Sequence, residues 1–214
     1  MSDAYHEYED RLLIEEHELH PERFRTMKQR FQAHIDSISS VTLRDCCRRI
    51  LDDSRFLTWP ASLSFHHAYE GGLLAHTVEV TDYALGSAIP GTDTNVLIAA
   101  ALWHDFEKIR EYELTELGVN FVGSGAMIDT PDVKALWNYT DYGKRIHHVQ
   151  GSAIAFTLEA TESGVRHEVI DAVVHCILAH HGRREWGSPV EPQTLEALLL
   201  HQADLISAKY GKTK

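Results

Sequence analysis

Residues 96–108 read VLIAAALWHDFEK, an apolar run that ends in a His–Asp pair and continues at once into charged residues. The run predicts a buried helix over 94–104, with Thr94 as its N-terminal cap. An imidazole or a carboxylate is costly to bury without a partner. Either the pair stands at the helix end by chance, or His104 and Asp105 bind a metal ion together with ligands from elsewhere in the chain.

Other ligand-capable side chains lie inside or at the edges of further apolar, helix-patterned stretches: His76, the pairs His147–His148 and His180–His181, and Asp204. Each one alone is more simply explained as a hydrogen-bonded core residue or, for Asp204, equally well as a residue on the helix surface. Five separate helices nevertheless present an imidazole or a carboxylate at such a place. This joint pattern favours a shared metal site.

The chemistry of these donors narrows the choice of metal. Neutral imidazole with carboxylate suits Fe, Mn, Zn or Ni, whereas an all-oxygen set would indicate Mg or Ca. No cysteine accompanies these positions, which argues against a structural zinc finger. A carboxylate beside a histidine can bridge two ions, and two ions can clamp the attacking and leaving oxygens of a phosphoryl transfer.

Composition limits the class of protein. The 214 residues are 43% hydrophobic, enough for one well-filled domain or for one domain and an appendage. The net charge of −12 argues against a broad basic face that binds long nucleic acid. The three cysteines do not form a disulfide framework, and neither a signal peptide nor a membrane span is evident. We therefore expect a cytoplasmic protein with no membrane contact.

Hydrophobic periodicity predicts an all-α fold with at most a small β-hairpin, which we place in residues 118–130. Residues 1–42 are expected to form a helical appendage or dimer arm, which makes a homo-oligomer possible, and residues 43–214 are expected to form the main domain. Helices are predicted over 43–52, 73–88, 94–104, 146–163, 166–181 and 193–210.

The order of His76, His104–Asp105 and Asp204 resembles the H…HD…D signature of the HD-domain metal-dependent phosphohydrolases. Two longer stretches, FLTWPASLSFHHAYEGGLLAHT (56–77) and HCILAHHGRREWGSPVEPQTLEALLLHQADLISAK (175–209), are similar to the HD-domain 3′-5′ exoribonucleases of the YhaM type. The similarity runs over roughly residues 43–210. It implies a helical bundle with a catalytic metal centre.

The resemblance also implies a ligand set for two divalent transition metals, with Mn, Fe, Ni and Zn as the candidates. The first ion would be held by His76, His104, Asp105 and Asp204, with Asp105 bridging to the second. His180 and His181 would serve the second ion, together with one histidine from YTDYGKRIHHV (139–149). Counting from Tyr139 without a gap selects His148, and a slip of one residue selects His147.

Several residues are candidates for contact with substrate. Lys108 and Arg183 are placed to bind phosphate, although each is about as well explained as a solvated surface residue. His67 lies in the family-like loop and is expected to line the pocket. Glu107 stands where the family has glycine, and its side chain either faces solvent or enters the pocket.

We expect a metal-dependent phosphodiesterase that acts on a nucleotide or on the 3′ end of a short single-stranded nucleic acid, with Asp105 and Lys108 as catalytic residues. Residues 1–42 are too short to supply the oligonucleotide-binding barrel of the exoribonucleases, so no extended nucleic-acid grip is expected. The alternatives are a di-iron oxygenase of the same fold and a non-catalytic, nucleotide-sensing metal-binding module.

Overall fold

The all-α expectation is confirmed by the architecture of the chain. A computed structural model describes residues 21–116 and 136–210, which form helices and one two-stranded sheet. In chain order the elements are α1 (Pro21–Ser37), α2 (Val41–Arg48), α3 (Arg55–Thr58), α4 (Gly72–Gly86), α5 (Thr94–Trp103), α6 (Lys108–Glu111), β1 (Tyr112–Leu114), β2 (Trp137–Tyr139), α7 (Asp141–Ile146), α8 (His148–Glu162), α9 (His167–Ala179) and α10 (Leu195–Tyr210).

Helix α5 is the centre of the core, because every residue from Val96 to Trp103 is buried. It contacts both α4 and α9, while α10 packs on α4 and α8 packs on α9. The expected cap is wrong by one residue. Asp93, whose backbone is extended, accepts hydrogen bonds from the backbone N–H groups of Asn95 and Val96 at 3.0 and 3.2 Å, and Thr94 is the first helical residue.

Helix α1 packs into the same hydrophobic core as the other helices. It buries Met27, Phe31 and Ile35, and it contacts α4 along its length. Asp82 on α4 binds α1 through Arg30 and, at 3.0 Å, through His34. The part of the predicted appendage that the structure describes is thus packed on the main domain, and the proposed division at residue 42 stays a prediction.

The small sheet joins two segments on either side of residues 117–135. Strands β1 and β2 are antiparallel, with Tyr112 opposite Tyr139 and Leu114 opposite Trp137. The hairpin predicted within 118–130 lies outside the described residues. Among the helices that are described, none has the length and apolar character needed to cross a membrane.

Candidate metal centre

The structure brings all the predicted ligands to one place, where the ends of several helices meet. His76 comes from α4 and Asp204 from α10, while His148 is the first residue of α8. His104 and His180 are the C-terminal cap residues of α5 and α9, so Asp105 and His181 follow directly. Apolar helices therefore carry the polar groups to a buried centre.

Asp105 lies at the middle of this centre and is only 2% exposed. Its Oδ2 atom is 3.3 Å from Nε2 of His76 and 3.4 Å from Nε2 of His104. Its Oδ1 atom is 3.2 Å from Nε2 of His148 and 3.7 Å from Nε2 of His180. The two carboxylate oxygens thus face two different groups of imidazoles.

The metal-binding atoms on each side of Asp105 lie close together and form two donor groups. On one side, His76, His104 and Asp105 have donor atoms within 4.8 Å of one another, and Oδ1 of Asp204 is 3.2 Å from Nε2 of His76. On the other side, the donor atoms of the second group also lie within 4.8 Å of one another; that group is His148, His180 and His181.

Backbone carbonyls fix the orientation of three of the imidazole rings. The Nδ1 atom of His104 is 2.7 Å from the carbonyl of Ala101, and that of His180 is 2.6 Å from the carbonyl of Ile177. Likewise, Nδ1 of His181 is 2.8 Å from a backbone carbonyl in the following turn. Since a carbonyl only accepts, each Nδ1 carries the proton and leaves the Nε2 lone pair free to bind a metal.

Side chains fix the other two rings. Nδ1 of His76 lies 2.9 Å from Oγ of Ser207, which itself donates to Glu79 at 3.2 Å. The hydroxyl therefore accepts from His76, because its proton is directed to the carboxylate. Nδ1 of His148 is hydrogen-bonded to the Glu111 carboxylate. A carboxylate behind a histidine is the usual support of a metal ligand.

The donor atoms of the centre fit a divalent transition metal. Oδ1 of Asp105 and the Nε2 atoms of His148 and His180 are buried, and none has a hydrogen-bond partner. Buried lone pairs without partners are rare in proteins, and a bound cation would satisfy all three. Burial lowers the pKa of both histidines well below its usual range, which keeps the rings in the neutral form that binds metals.

Lys108 adds a buried positive charge beside these donors. Its ammonium is 2.6 Å from Oδ2 of Asp105, and the residue is 5% exposed. Burial opposes the charge, but Asp105 outweighs burial and raises the pKa of Lys108 above its usual value. Burial raises the pKa of Asp105, but the Lys108 ammonium outweighs burial together with the neighbouring imidazoles and holds this pKa well below its ordinary value. Both groups are therefore ionised at neutral pH.

Glu107 adopts neither of the two orientations considered from the sequence. It is 3% exposed, which excludes a solvent-facing side chain. Its carboxylate is paired with Arg110 at 3.2 Å, and the presence of Glu107 beside the Tyr142 hydroxyl contributes, after burial, to the raised pKa of Tyr142. The guanidinium of Arg110 also lies 3.8 Å from the centre of the Tyr142 ring. Glu107 thus packs against α7 instead of reaching Lys108.

His148, and not His147, lies next to Asp105. His147 is partly exposed and its Nε2 atom is 3.6 Å from the Glu111 carboxylate. The backbone of His147 has a φ of 66°, which turns the chain between α7 and α8 and directs the following ring inward. The gap-free count from Tyr139 therefore matches this geometry.

The two predicted substrate contacts outside the ligand set lie at its margins. His67 is buried, with Nε2 3.1 Å from Glu79 and its ring 5.4 Å from that of His76. Arg183 is exposed, and its guanidinium lies 4.8 Å from the centre of the Trp186 ring. Substrate contact by these two residues stays a prediction.

Glu111 is a supporting residue that was not predicted from the sequence. This residue is 1% exposed and supports His148, and burial raises its pKa to about 7 although Lys108 opposes the rise. The one available signal was its spacing: Glu111 follows Lys108 by three residues, which places both on one side of α6.

Replacing Glu111 with glutamine tests this support. At pH 8, above the Glu111 pKa of about 7, the variant keeps the shape of the side chain but removes the charge that holds the His148 ring. We therefore expect affinity for Mn²⁺ to fall about 10- to 100-fold at that pH. The dissociation constant can be measured by titration of metal-stripped protein. The exposed neighbour Glu113 provides the control Glu113→Gln. Equal Mn²⁺ affinities in the two variants would show that Glu111 does not support metal binding.

A cavity of about 350 Å³ opens beside the second donor group. Its inner end is formed by Lys108, Glu111, His148 and His181. Its walls continue outward along the loop 61–65 and the ring of Tyr139. A molecule that enters the cavity can therefore reach the donor groups from solvent.

Comparisons with known proteins agree with this arrangement. The chain is 31% identical over 187 residues to the 3′-5′ exoribonuclease YhaM of Halalkalibacterium halodurans, covering 86% of this chain and 52% of that protein. It is 34% identical over 157 residues to the 3′-5′ exoribonuclease YhaM of Oceanobacillus iheyensis, covering 72% and 43% respectively. The chain thus spans about half the length of these curated relatives. No solved structure matches it significantly.

The family model for the HD domain matches residues 73–209. This range begins in α4 and ends in α10, so it includes every element that contributes a donor to the centre. The match covers more than half of the chain. The chain therefore belongs to the HD domain family.

Proposed function

We propose that the chain is a metal-dependent phosphodiesterase. The observation that carries the proposal is the position of Asp105, whose two oxygens each face a separate group of buried imidazoles. A bridging carboxylate of this kind is suited to a pair of ions, and two ions suit the displacement of one phosphate oxygen by another. The curated relatives, which are exoribonucleases, support the same class of reaction.

We propose two ligand sets, which the grouping of donor atoms around Asp105 supports. One ion would be held by His76, His104, Asp105 and Asp204, and the other by Asp105, His148, His180 and His181. When bound, divalent transition metals at these positions supply Lewis acidity, which polarises the phosphate and makes water nucleophilic at neutral pH.

The protein's own residues then have distinct tasks. Asp105 would belong to both ligand sets, so it would fix the position at which the nucleophile is held. Lys108, buried and charged, stabilises negative charge on the phosphoryl oxygens, because a fixed cation in a water-poor site acts strongly on developing charge. The imidazole rings, held by their Nδ1 hydrogen bonds, keep this arrangement rigid.

The substrate we propose is a nucleotide or the 3′ end of a short single-stranded nucleic acid. The relatives' names support a nucleic-acid substrate. The net charge of −12 favours short substrates, because a long polyanion is repelled over its whole length. A cavity of about 350 Å³ is at the lower end of the sizes that hold small ligands, which also favours a short substrate.

Metal analysis followed by an activity screen tests the proposal. We expect close to two ions per chain after growth with added Mn or Fe, and Mn²⁺-dependent hydrolysis of a p-nitrophenyl phosphodiester. One ion or fewer, with no uptake on titration, would exclude the two-metal centre. Oxygen consumption without hydrolysis would indicate an oxygenase, and nucleotide binding without turnover would indicate a sensor.

A further inference from the structure

Phe65 is an apolar side chain held out in solvent by the loop that carries it. The residue is 83% exposed, more than any other large hydrophobic residue described. The Ser62 hydroxyl accepts a hydrogen bond from the Phe65 backbone at 2.9 Å and donates to the carbonyl of His66 at 2.8 Å. Ala61 and His67 close the loop with a backbone hydrogen bond of 3.1 Å. The exposure of the ring is thus imposed by the local fold.

The base of this loop is fixed directly on α4. A Cβ atom at Gly72 would lie 2.0 Å from the carbonyl oxygen of His67, so only glycine permits this approach. The loop is therefore seated on the helix that carries His76. The backbone at Phe65 therefore keeps a defined position relative to the metal centre.

A second aromatic ring lines the same cavity. Tyr139 on β2 is 46% exposed, and its ring packs edge-on against that of Tyr112, with the ring centres 5.2 Å apart. The pairing of β1 with β2 fixes this contact. Phe65 and Tyr139 both border the cavity, together with Leu63, and the inner end of the cavity is formed by Lys108 and His181.

The charged groups of this cavity are buried and its two aromatic side chains are exposed, since Lys108 is 5% exposed, Tyr139 46% and Phe65 83%. The charged groups therefore form the inner end of the cavity and the aromatic rings form its mouth. A ligand that matches both ends carries an uncharged planar ring at one end and an anion at the other. A nucleotide has this form, because its base is flat and its phosphate is anionic. Lysine and the donor groups suit the phosphate, and exposed aromatic rings suit a base through stacking.

We propose that the cavity between Phe65 and Tyr139 is the subsite for the nucleobase of the nucleotide whose phosphate reaches Asp105. This inference rests on the proposed phosphodiesterase function. Stacking on an aromatic side chain is tolerant of sequence, since every base has a π-face. The subsite therefore accepts different bases and selects nucleotides over phosphodiesters that lack a base.

Two chromogenic esters test the subsite in the metal-loaded protein. One is thymidine 5′-(p-nitrophenyl) phosphate, and the other is methyl p-nitrophenyl phosphate, which has the same leaving group and no base. We expect the wild type to prefer the thymidine ester. In Phe65→Ala the ratio of the two kcat/KM values should fall about 30-fold, the middle of the range for loss of one stacking contact.

Matched variants separate stacking from other effects. Phe65→Tyr keeps a ring and should retain the preference, whereas Phe65→Leu keeps apolar volume and should lose it. Tyr210 is 79% exposed at the end of α10, so Tyr210→Ala is the control for loss of an exposed aromatic side chain. An unchanged ratio in Phe65→Ala, or equal ratios in the leucine and tyrosine variants, would overturn the subsite.

Failure of the proposed function is distinguishable from failure of the subsite. If the wild type hydrolyses neither ester, the phosphodiesterase proposal fails, and uridine 5′-monophosphate is titrated by calorimetry into the Mn²⁺-loaded protein. Weaker binding by Phe65→Ala than by Tyr210→Ala would then support the base subsite. Equal binding by the two variants, or no binding by the wild type, would overturn it.

Discussion

Replacing Asp105 with alanine is expected to abolish phosphodiester hydrolysis and to remove more metal than any single histidine replacement. Asp105 is the one side chain among those described whose oxygens face both donor groups, so its loss disturbs both. The catalytic contribution of metal Lewis acidity is several kcal/mol, which corresponds to a fall in kcat of about three orders of magnitude or more.

Metal content and activity should be measured on the same preparations. His180→Ala is the informative comparison, because His180 faces only Oδ1 of Asp105 and its loss should leave the other donor group intact. The exposed residue Asp141 provides the control Asp141→Ala. If Asp105→Ala kept both metal and turnover while His180→Ala lost both, Asp105 would not be the bridge.

Replacing Lys108 with alanine should separate catalysis from metal binding. We expect kcat to fall about 100- to 1,000-fold, the range for removing one fixed group that stabilises charge in the transition state. Metal affinity should not fall, since the variant removes a buried positive charge that repels cations. Measurement of kcat, KM and Mn²⁺ affinity on the variant checks both parts of this expectation.

Lys209 is the matched control for Lys108. It is an exposed lysine on α10, so Lys209→Ala should behave as wild type. The expected pattern is retained metal with low turnover for Lys108→Ala alone. A loss of metal as large as that of Asp105→Ala would mean that Lys108 holds Asp105 in place and has no direct catalytic role.

The proposed donor positions are visible in the sequence because they interrupt apolar helices. His104 and Asp105 end the buried helix α5, and a polar pair at such a place is visible in the sequence as a break in a hydrophobic run. His76 and His180 stand out for the same reason. The boundaries of the predicted helices were also close to those of the structure, because Gly, Pro and polar residues mark the ends of the apolar stretches.

The supporting residues were not predictable, because their burial depends on contacts between distant elements. Glu111 and Glu107 lie in a short charged stretch that reads as a solvated helix end. Glu111 is buried by His148, 37 residues further along the chain. Glu107 is buried against α8, where a Cβ at Gly151 would lie 3.0 Å from the Cβ of Glu107. No local period indicates which carboxylate in such a stretch turns inward.

The choice between His147 and His148 depends on backbone conformation. A φ of 66° is unusual for a residue with a side chain, and it could not be predicted from the sequence. Because α8 begins at the following residue, the turn decides which imidazole enters the centre. A difference of one position in the sequence thus becomes a difference between a half-exposed ring and a buried one.

The carbonyl anchors of His104 and His180 have a consequence for how the centre is assembled. Each ring is tied to the carbonyl three residues earlier in its own helix, so its rotamer is chosen as soon as that last turn forms. The two rings are therefore already ordered before a metal ion would bind, so binding would cost little side-chain conformational entropy. A main-chain oxygen is present whatever residue occupies position 101 or 177. Substitutions at these positions can therefore alter packing without changing the orientation of the His104 or His180 ring.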